Sequence, residues 1–461
     1  MNKVRTLILG GGMSGLSCAY HLNQNGENNY LLLERSDEPG GLSRSIKQDG
    51  FVFDHTGHLL HLRNPYTLKL IPDLLGDNLV MNQRRAWIYS HNAYTRYPYQ
   101  ANLYGLPKKV IEECLKGLIE AQLNAPSPYP LPKGRGPSPA FSLQGEGGRR
   151  PDEGKLPESL KSWVLRTFGK GFDKHFFSPY NEKLWTVSAD VLTAEWVAPF
   201  VPKPSIEEVI NGAFSDQTKK FGYNASFYYP KEGGIQALAF AFAKGLPHIR
   251  LNTAVTALDL ARKEALLSTG EMLSYDILVN TIPLCRFMDF AKGLESDLAA
   301  LRPLMRWSGV YDINLGVKRP RISDKHWIYF PEKKYRFYRV GFPMNFSTHM
   351  TPPGCSSMYV EIGYRPDEAF DEKRAWKDAM KGLLECGLLK SESEIVTQNL
   401  IKIPVAYVTY DRNRTALTKR ILDNLEAQKI YSIGRFGGWK YSYMEEAILE
   451  GKAAAEKIMG Q

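Results

Sequence analysis

Three glycines and one carboxylate carry the clearest chemistry in this sequence: Gly10, Gly12 and Gly15 in the run Gly10-Gly-Gly12-Met-Ser14-Gly15, and Glu34, 19 residues beyond the last of them. Without Cβ atoms the backbone can turn tightly at Gly10, approach a pyrophosphate at Gly12, and pack a helix closely on a strand at Gly15. The N-terminus of that helix would face the phosphates, and Glu34 would accept hydrogen bonds from ribose hydroxyls. This is the pattern of a dinucleotide site. A second candidate is the loop His55-Thr-Gly57-His58, with His61 close behind. The histidine spacing admits a metal site, yet Gly57 points to a tight loop and no carboxylate-rich cluster accompanies it, so no metal is expected. Cys18, Cys114, Cys285, Cys355 and Cys386 are an odd set with no CxxC pair, which reads as reduced structural thiols in a cytoplasmic protein.

Elements must position these groups. Residues 6–9 read as a strand, 16–22 as a helix and 30–34 as a second strand, completing a βαβ unit around the glycines. Apolar positions near the 3.6 period in 110–120 and 160–168 predict helices inside a helical domain over 106–225. Short β-rich runs such as 309–317 and 327–330, punctuated by Pro and Gly, predict an antiparallel sheet domain over 305–400. A last helix, Met444–Met459, carries Met444, Ala447, Ile448, Gly451, Ala455 and Ile458 on one stripe. The fold class is therefore α/β: a discontinuous Rossmann-like dinucleotide domain (1–105, 226–304 and 401–461), a helical domain and an antiparallel sheet that meets the substrate. Within 126–154, Pro and Gly supply 13 of 29 positions, too few apolar groups to order the chain, so this run is read as a disordered surface insertion.

Composition narrows the function classes. A chain of 461 residues suggests two to four domains. Its apolar runs fall short of the ~18 residues that span a bilayer, so no membrane span is expected. The excess of 59 Lys+Arg over 49 Asp+Glu is scattered, with no basic run interleaved with aromatics. Nucleic acid is therefore not expected, and an anionic small molecule accounts for the charge equally well.

After Glu34 the chain reads Arg35-Ser-Asp-Glu-Pro-Gly40-Gly41-Leu42. Here it resembles the large FAD superfamily of amine oxidases, protoporphyrinogen oxidases, phytoene desaturases and UDP-galactopyranose mutases, whose acidic residue is followed by a Gly-Gly flavin motif. The run 250–255, ending at Val255, is similar to the strand that meets the adenine, and 275–283 to the return strand. The resemblance implies FAD, with Ser14, Arg35, Gly41 and Leu42 among its contacts.

Within that superfamily five blocks resemble UDP-galactopyranose mutase. Phe53-Asp54-His-Thr-Gly57-His58 is similar to the loop beside the flavin N5. Tyr97-Pro-Tyr99-Gln100-Ala-Asn102 resembles the segment that receives uracil, and Asn181 with Trp185 the same pocket. Trp327-Ile-Tyr329, with Arg339 twelve residues beyond Trp327, resembles the block whose Arg grips the diphosphate. Tyr407 and Gly434-Arg435-Phe436-Gly-Gly-Trp439-Lys-Tyr441 resemble the C-terminal flavin and substrate motif, which Met444 and Glu445 follow.

The implied activity is a nucleotide-sugar pyranose/furanose mutase in which reduced FAD offers N5 as nucleophile to the anomeric carbon, kept reduced by NAD(P)H or another reductant. Arg339 would draw the diphosphate, Arg435 would stabilise reduced flavin, and His58 would set the N5 environment. The residues also admit plainer roles: Tyr407 and Tyr441 as core aromatics, Trp185 as packing, and Arg339 paired with an acidic neighbour on a sheet face. Three departures bear on the substrate. Phe200 stands where a second diphosphate Arg is expected, with Lys203 as a flexible point charge nearby; Phe346 replaces an expected Tyr; Glu445-Glu446 replaces an acidic-amide pair. The alternative is an FAD-dependent oxidoreductase of the amine oxidase or protoporphyrinogen oxidase type. Leu42, where amine oxidases place Arg, favours the mutase.

Overall fold

A computed structural model describes residues 2–124, 157–197, 200–217, 221 and 225–460. The Pro- and Gly-rich run 126–154 lies outside the described residues. Asn2–Leu9 lies inside an eight-stranded sheet, parallel to Tyr30–Leu33 on one side and Met272–Asn280 on the other. Ile249–Arg250 and Ile430–Ser432 add further parallel pairs, and Val255–Asp259 with Glu264–Leu267 extends the sheet in antiparallel fashion. Where both faces are covered the parallel strands are apolar, as in 7–9, 30–33 and 277–279. Ile8 and Leu32 pack with Leu16, Leu22, Ile448 and Ile458 of the Met13–Gln24 and Met444–Met459 helices. Leu7, Leu9, Leu31 and Leu33 face the other core, which includes Phe287 and Ile421.

The stripe on Met444–Met459 is buried throughout, against the Met13–Gln24 helix. Gly451 makes the approach possible: a Cβ there would lie 2.5 Å from the Ser14 carbonyl oxygen and 2.7 Å from Ser17 Cβ. The helical layer comprises Lys108–Leu123, Leu160–Thr167, Ser178–Trp185 and Ile206–Phe214, around Trp163, Phe172, Phe176 and Trp185. Ser205 and Glu208 close a capping box at the start of the last of these.

The second sheet has seven strands in the order Ile395–Val408, Trp307–Val317, Ser356–Tyr364, Arg339–Gly341, Trp327–Tyr329, Ala86–Ser90, Ala93–Arg96. Strand side chains alternate between faces. Ile313, Leu315, Val360 and Ile362 pack on Ala375, Ala379 and Leu383 of the Glu372–Glu385 helix, so Asp312, Glu361 and Arg339 stand on the opposite face. This sheet reaches beyond the 305–400 interval at both ends of the chain. It recruits the hairpin 86–96, whose two-residue turn His91-Asn92 takes φ of 53° and 58°, as a primed hairpin turn requires. One pair, Trp327–Tyr329 with Ala86–Ser90, is parallel, so the sheet is not wholly antiparallel.

Candidate functional site

Two glycine arms are laced together at the start of the Met13–Gln24 helix. Gly10 adopts φ +98°, and a Cβ on Gly15 would lie 2.0 Å from the Gly10 carbonyl oxygen. Gly40 donates its N–H to the Gly11 carbonyl at 2.7 Å, and Gly41, at φ +58°, has room for a Cβ only 3.1 Å from Gly12 Cα. Buried Glu34 accepts from the Gly11 and Ser36 N–H groups at 2.7 and 2.9 Å. Gly434 sits against Ser14, where a Cβ would lie 2.2 Å from Ser14 Oγ, and gives its N–H to Glu450 at 2.6 Å. Gly10, Gly12, Ser14, Gly15, Glu34, Gly41 and Gly434 therefore converge. Close backbone, a helix N-terminus and a buried carboxylate are the donor and acceptor set that a dinucleotide needs, so the residues present fit one.

The other residues expected at the cofactor fall less uniformly. Arg35 is exposed beside Glu34, Val255 and Leu42 are half-buried, and Met444 accepts a hydrogen bond from Ser43 Oγ at its sulfur, 3.5 Å away. Glu445 is engaged through its side chain within the fold. Its buried carboxylate accepts from the Arg63 and Asn64 N–H groups at 2.7 and 2.8 Å and from Thr67 Oγ1. That charge is bound to the turn before the Pro65–Leu75 helix.

The Asp54–His58 corner rests on the polar face of the second sheet. Thr56, at φ +68°, donates its N–H to Asp312 Oδ2 at 3.0 Å, and a Cβ on Gly57 would lie 2.2 Å from the Tyr359 hydroxyl. Burial, then the nearby charge of Arg435, His55 and Arg339, pulls His58 down to about 3, so its ring is neutral and its buried Nδ1 has no hydrogen-bond partner. Burial takes His55 to about 4 and, with Arg84 and Arg63 nearby, His61 also to about 4. Among the described residues no group of three or more His, Cys, Asp or Glu side chains is arranged to hold a metal ion. Asp54 accepts from Ser45, Tyr229 and the Ile235 N–H, and burial still raises it to about 6.

Two guanidinium groups flank this corner. Arg339 donates through Nε and Nη2 to the two oxygens of Glu361 at 2.5 and 2.6 Å, its direct neighbour on the adjoining strand. The acidic neighbour on the sheet face is thus present. Arg435 donates to the Ser442 carbonyl at 2.6 Å and the Ala406 carbonyl at 2.9 Å, and stands 4.9 and 5.0 Å from the ring centres of Tyr407 and Tyr441. Carbonyls orient a guanidinium without cancelling its charge.

The aromatic wall divides into two kinds of residue. Tyr97 and Tyr329 meet at 5.3 Å, and Tyr180 meets Tyr329 at the same distance. Arg84 lies 5.0 Å from the Tyr97 ring, beside a cavity of about 200 Å³ lined by Arg84, Arg96, Tyr97 and Asn102. By contrast, Tyr99, Gln100, Asn181 and Trp185 are buried and engaged within the fold, while Asn102 is buried and also borders the cavity. Tyr99 stacks on Phe176. Gln100 donates to the Pro202 carbonyl, Asn102 to that of Pro98 and Asn181 to that of Phe177. Trp185 donates to Asn181 Oδ1 and packs on Trp196 and Tyr407. Phe200 meets Tyr441 edge-on at 5.0 Å, Lys203 stands over Trp163, and Phe346 is buried against Tyr229 and His326. Sequence reasoning missed Glu361, Asp312 and Tyr180. A lone charge inside an otherwise apolar strand, as in Ser356–Tyr364, was the available signal.

Comparison with known proteins gives a consistent result. The family model described as flavin containing amine oxidoreductase matches residues 13–459. A crystal structure of reduced UDP-galactopyranose mutase superimposes with a TM-score of 0.87 at 27% identity, covering 99% of this chain and 96% of that one. A putative protoporphyrinogen oxidase from Exiguobacterium gives 0.73 at 15% identity, covering 99% of each chain. In sequence, protoporphyrinogen oxidase 2 of Arabidopsis thaliana is 23% identical over 92% of this chain and 87% of its own length.

Proposed function

The chain belongs to the family of flavin-containing amine oxidoreductases, and from that premise we propose that it binds FAD and, with the flavin reduced, interconverts pyranose and furanose forms of a nucleotide-linked sugar. One observation carries the choice of an anionic substrate. Arg435, whose guanidinium is held by carbonyls that do not cancel its charge, stands beside a neutral His58, and Arg339 keeps donors beyond its bond to Glu361. A protonated amine would be repelled there, whereas a departing diphosphate would be held. The 27% identity to a reduced UDP-galactopyranose mutase along nearly the whole chain supports the same reading.

When bound in reduced form, the flavin would supply a nucleophile for the sugar's anomeric carbon. The chain's own residues do the rest. Arg435, steered by two carbonyls, and the free donors of Arg339 offset charge on the leaving group. His58 presents an uncharged ring with Nδ1 open to one hydrogen bond. Tyr97, Tyr180 and Tyr329 wall the site and limit water. A second reading, oxidation of a non-amine substrate such as a porphyrinogen, is favoured by Phe200, which puts an apolar ring beside Tyr441 where a second diphosphate Arg would be expected.

The test is to reduce the purified protein with dithionite under nitrogen and follow isomerisation of UDP-galactose and related sugar nucleotides by chromatography. Product formed only by reduced protein is the expected result. Rapid flavin reduction by a porphyrinogen or amine, with no isomerisation of any sugar nucleotide, would overturn the mutase in favour of the oxidoreductase.

A further inference from the structure

Asp312, Glu361 and Arg339 stand side by side in one row across three neighbouring strands of the second sheet. Asp312 and Glu361 are both 0% exposed. Arg339 commits two donors to the two oxygens of Glu361. Asp312 has no such cation: its Oδ2 accepts from the Thr56 N–H and from Asn314 Nδ2, each at 3.0 Å, and its Oδ1 has no hydrogen-bond partner. Neighbouring strands lie about 5 Å apart. Two ionised carboxylates at that spacing in a dry interior, with the one cation matched to Glu361, repel strongly enough that one holds a proton.

We propose that Asp312 is the proton-bearing, neutral member of this row and serves as a positioning residue, fixing the Thr56–His58 corner through the Thr56 N–H while leaving the Glu361–Arg339 pair electrically closed. The remaining groups that face the row supply no second cation for it. His55 and His58 on the corner are held neutral, Tyr359 beneath Gly57 is held protonated by burial, and Arg435, beyond His58, keeps its charge but directs its hydrogen bonds to the Ala406 and Ser442 carbonyls. Burial, with the charge of Glu361, also lifts the Asp312 carboxyl well above the usual carboxylate range. Ionising Asp312 would put an uncompensated negative charge beneath the corner. Its influence on a bound flavin rests on the reading that the flavin ring lies over His58.

Infrared spectroscopy of the flavin-bound protein at pH 8, where Asp54 has ionised, tests the proposal. A protonated-carboxyl C=O band is expected that shifts down on labelling with [4-13C]aspartate and disappears in Asp312→Asn. The absence of such a band, its insensitivity to the label, or its survival in Asp312→Asn overturns the assignment. If Asp312→Asn fails to fold, the labelled natural protein decides alone. A second readout is the flavin midpoint potential, expected to coincide in the natural protein and Asp312→Asn at pH 8. A lower potential in the natural protein would mean an ionised Asp312 and overturn the proposal. Neither measurement uses a sugar nucleotide, so failure of the mutase reading leaves both interpretable.

Discussion

Arg339 has given two donors to Glu361 before any ligand arrives, and the consequence is measurable in stability as well as binding. Glu361 is fully buried, so Glu361→Ala should strand the guanidinium and cost about 3–5 kcal/mol in urea unfolding, whereas replacing both residues by leucine should cost far less. A loss below about 1 kcal/mol for the single change would show that the pair is not closed in solution. Arg339→Ala should weaken UDP binding at least about tenfold while FAD stays bound, as expected for loss of a charge-assisted contact; unchanged UDP affinity by calorimetry would remove Arg339 from the substrate. At the cradle, a Cβ on Gly15 meets the Gly10 carbonyl oxygen at 2.0 Å, a backbone atom that cannot swing aside. Gly15→Ala should therefore yield protein with little bound flavin, read from its visible absorbance. A fully yellow variant would refute the close approach.

Helix against helix is the next level of support, because Ser14 opens the Met13–Gln24 helix and Gly451 of Met444–Met459 lies against its carbonyl oxygen. Gly451→Leu would push that helix start aside, with an overpacking cost of about 1–3 kcal/mol and a loss of flavin larger than the loss of melting temperature explains. Equal losses at a remote helix contact and here would argue against specific coupling. The same contrast between local and distant contacts explains what was legible in the sequence. The βαβ unit and the Met444–Met459 stripe rest on residues within one or two elements, where glycine spacing and the 3.6 period speak directly. The hairpin 86–96 joins a sheet whose other strands lie more than 200 residues later, and no local pattern announces that pairing. Glu445 likewise lies next to the expected motif, yet Arg63, Asn64 and Thr67, brought in from far along the chain, claim its carboxylate. Asp312 and Glu361 needed the strand register to become one row.

Across the whole molecule, buried histidines should dominate the response to acid. His58 and His326 are lowered to about 3 and His55 and His61 to about 4, chiefly by burial, from an ordinary value of 6.5. His326 shows the cause in its contacts: it is buried, and its Nδ1 accepts the Arg85 N–H at 3.0 Å, so that nitrogen must stay unprotonated. A depressed folded value means that the unfolded chain takes up the proton first, so the stability is complete above pH 6.5 and is lost as pH falls toward 4 and then 3. Asp54 works in the opposite sense. Raised from 3.8 to about 6, it favours the folded state as pH falls through that same range, as does the raised Asp312, but two carboxyls against four histidines offset only part of their effect. The urea midpoint is therefore expected to fall between about pH 6.5 and 4. His326→Gln, which removes one of the four protons, should make that slope shallower by up to about 1.4 kcal/mol per pH unit. A midpoint unchanged between pH 7 and 5 would mean that these rings are solvated and titrate normally, and with them the neutral His58 on which the site's charge balance depends.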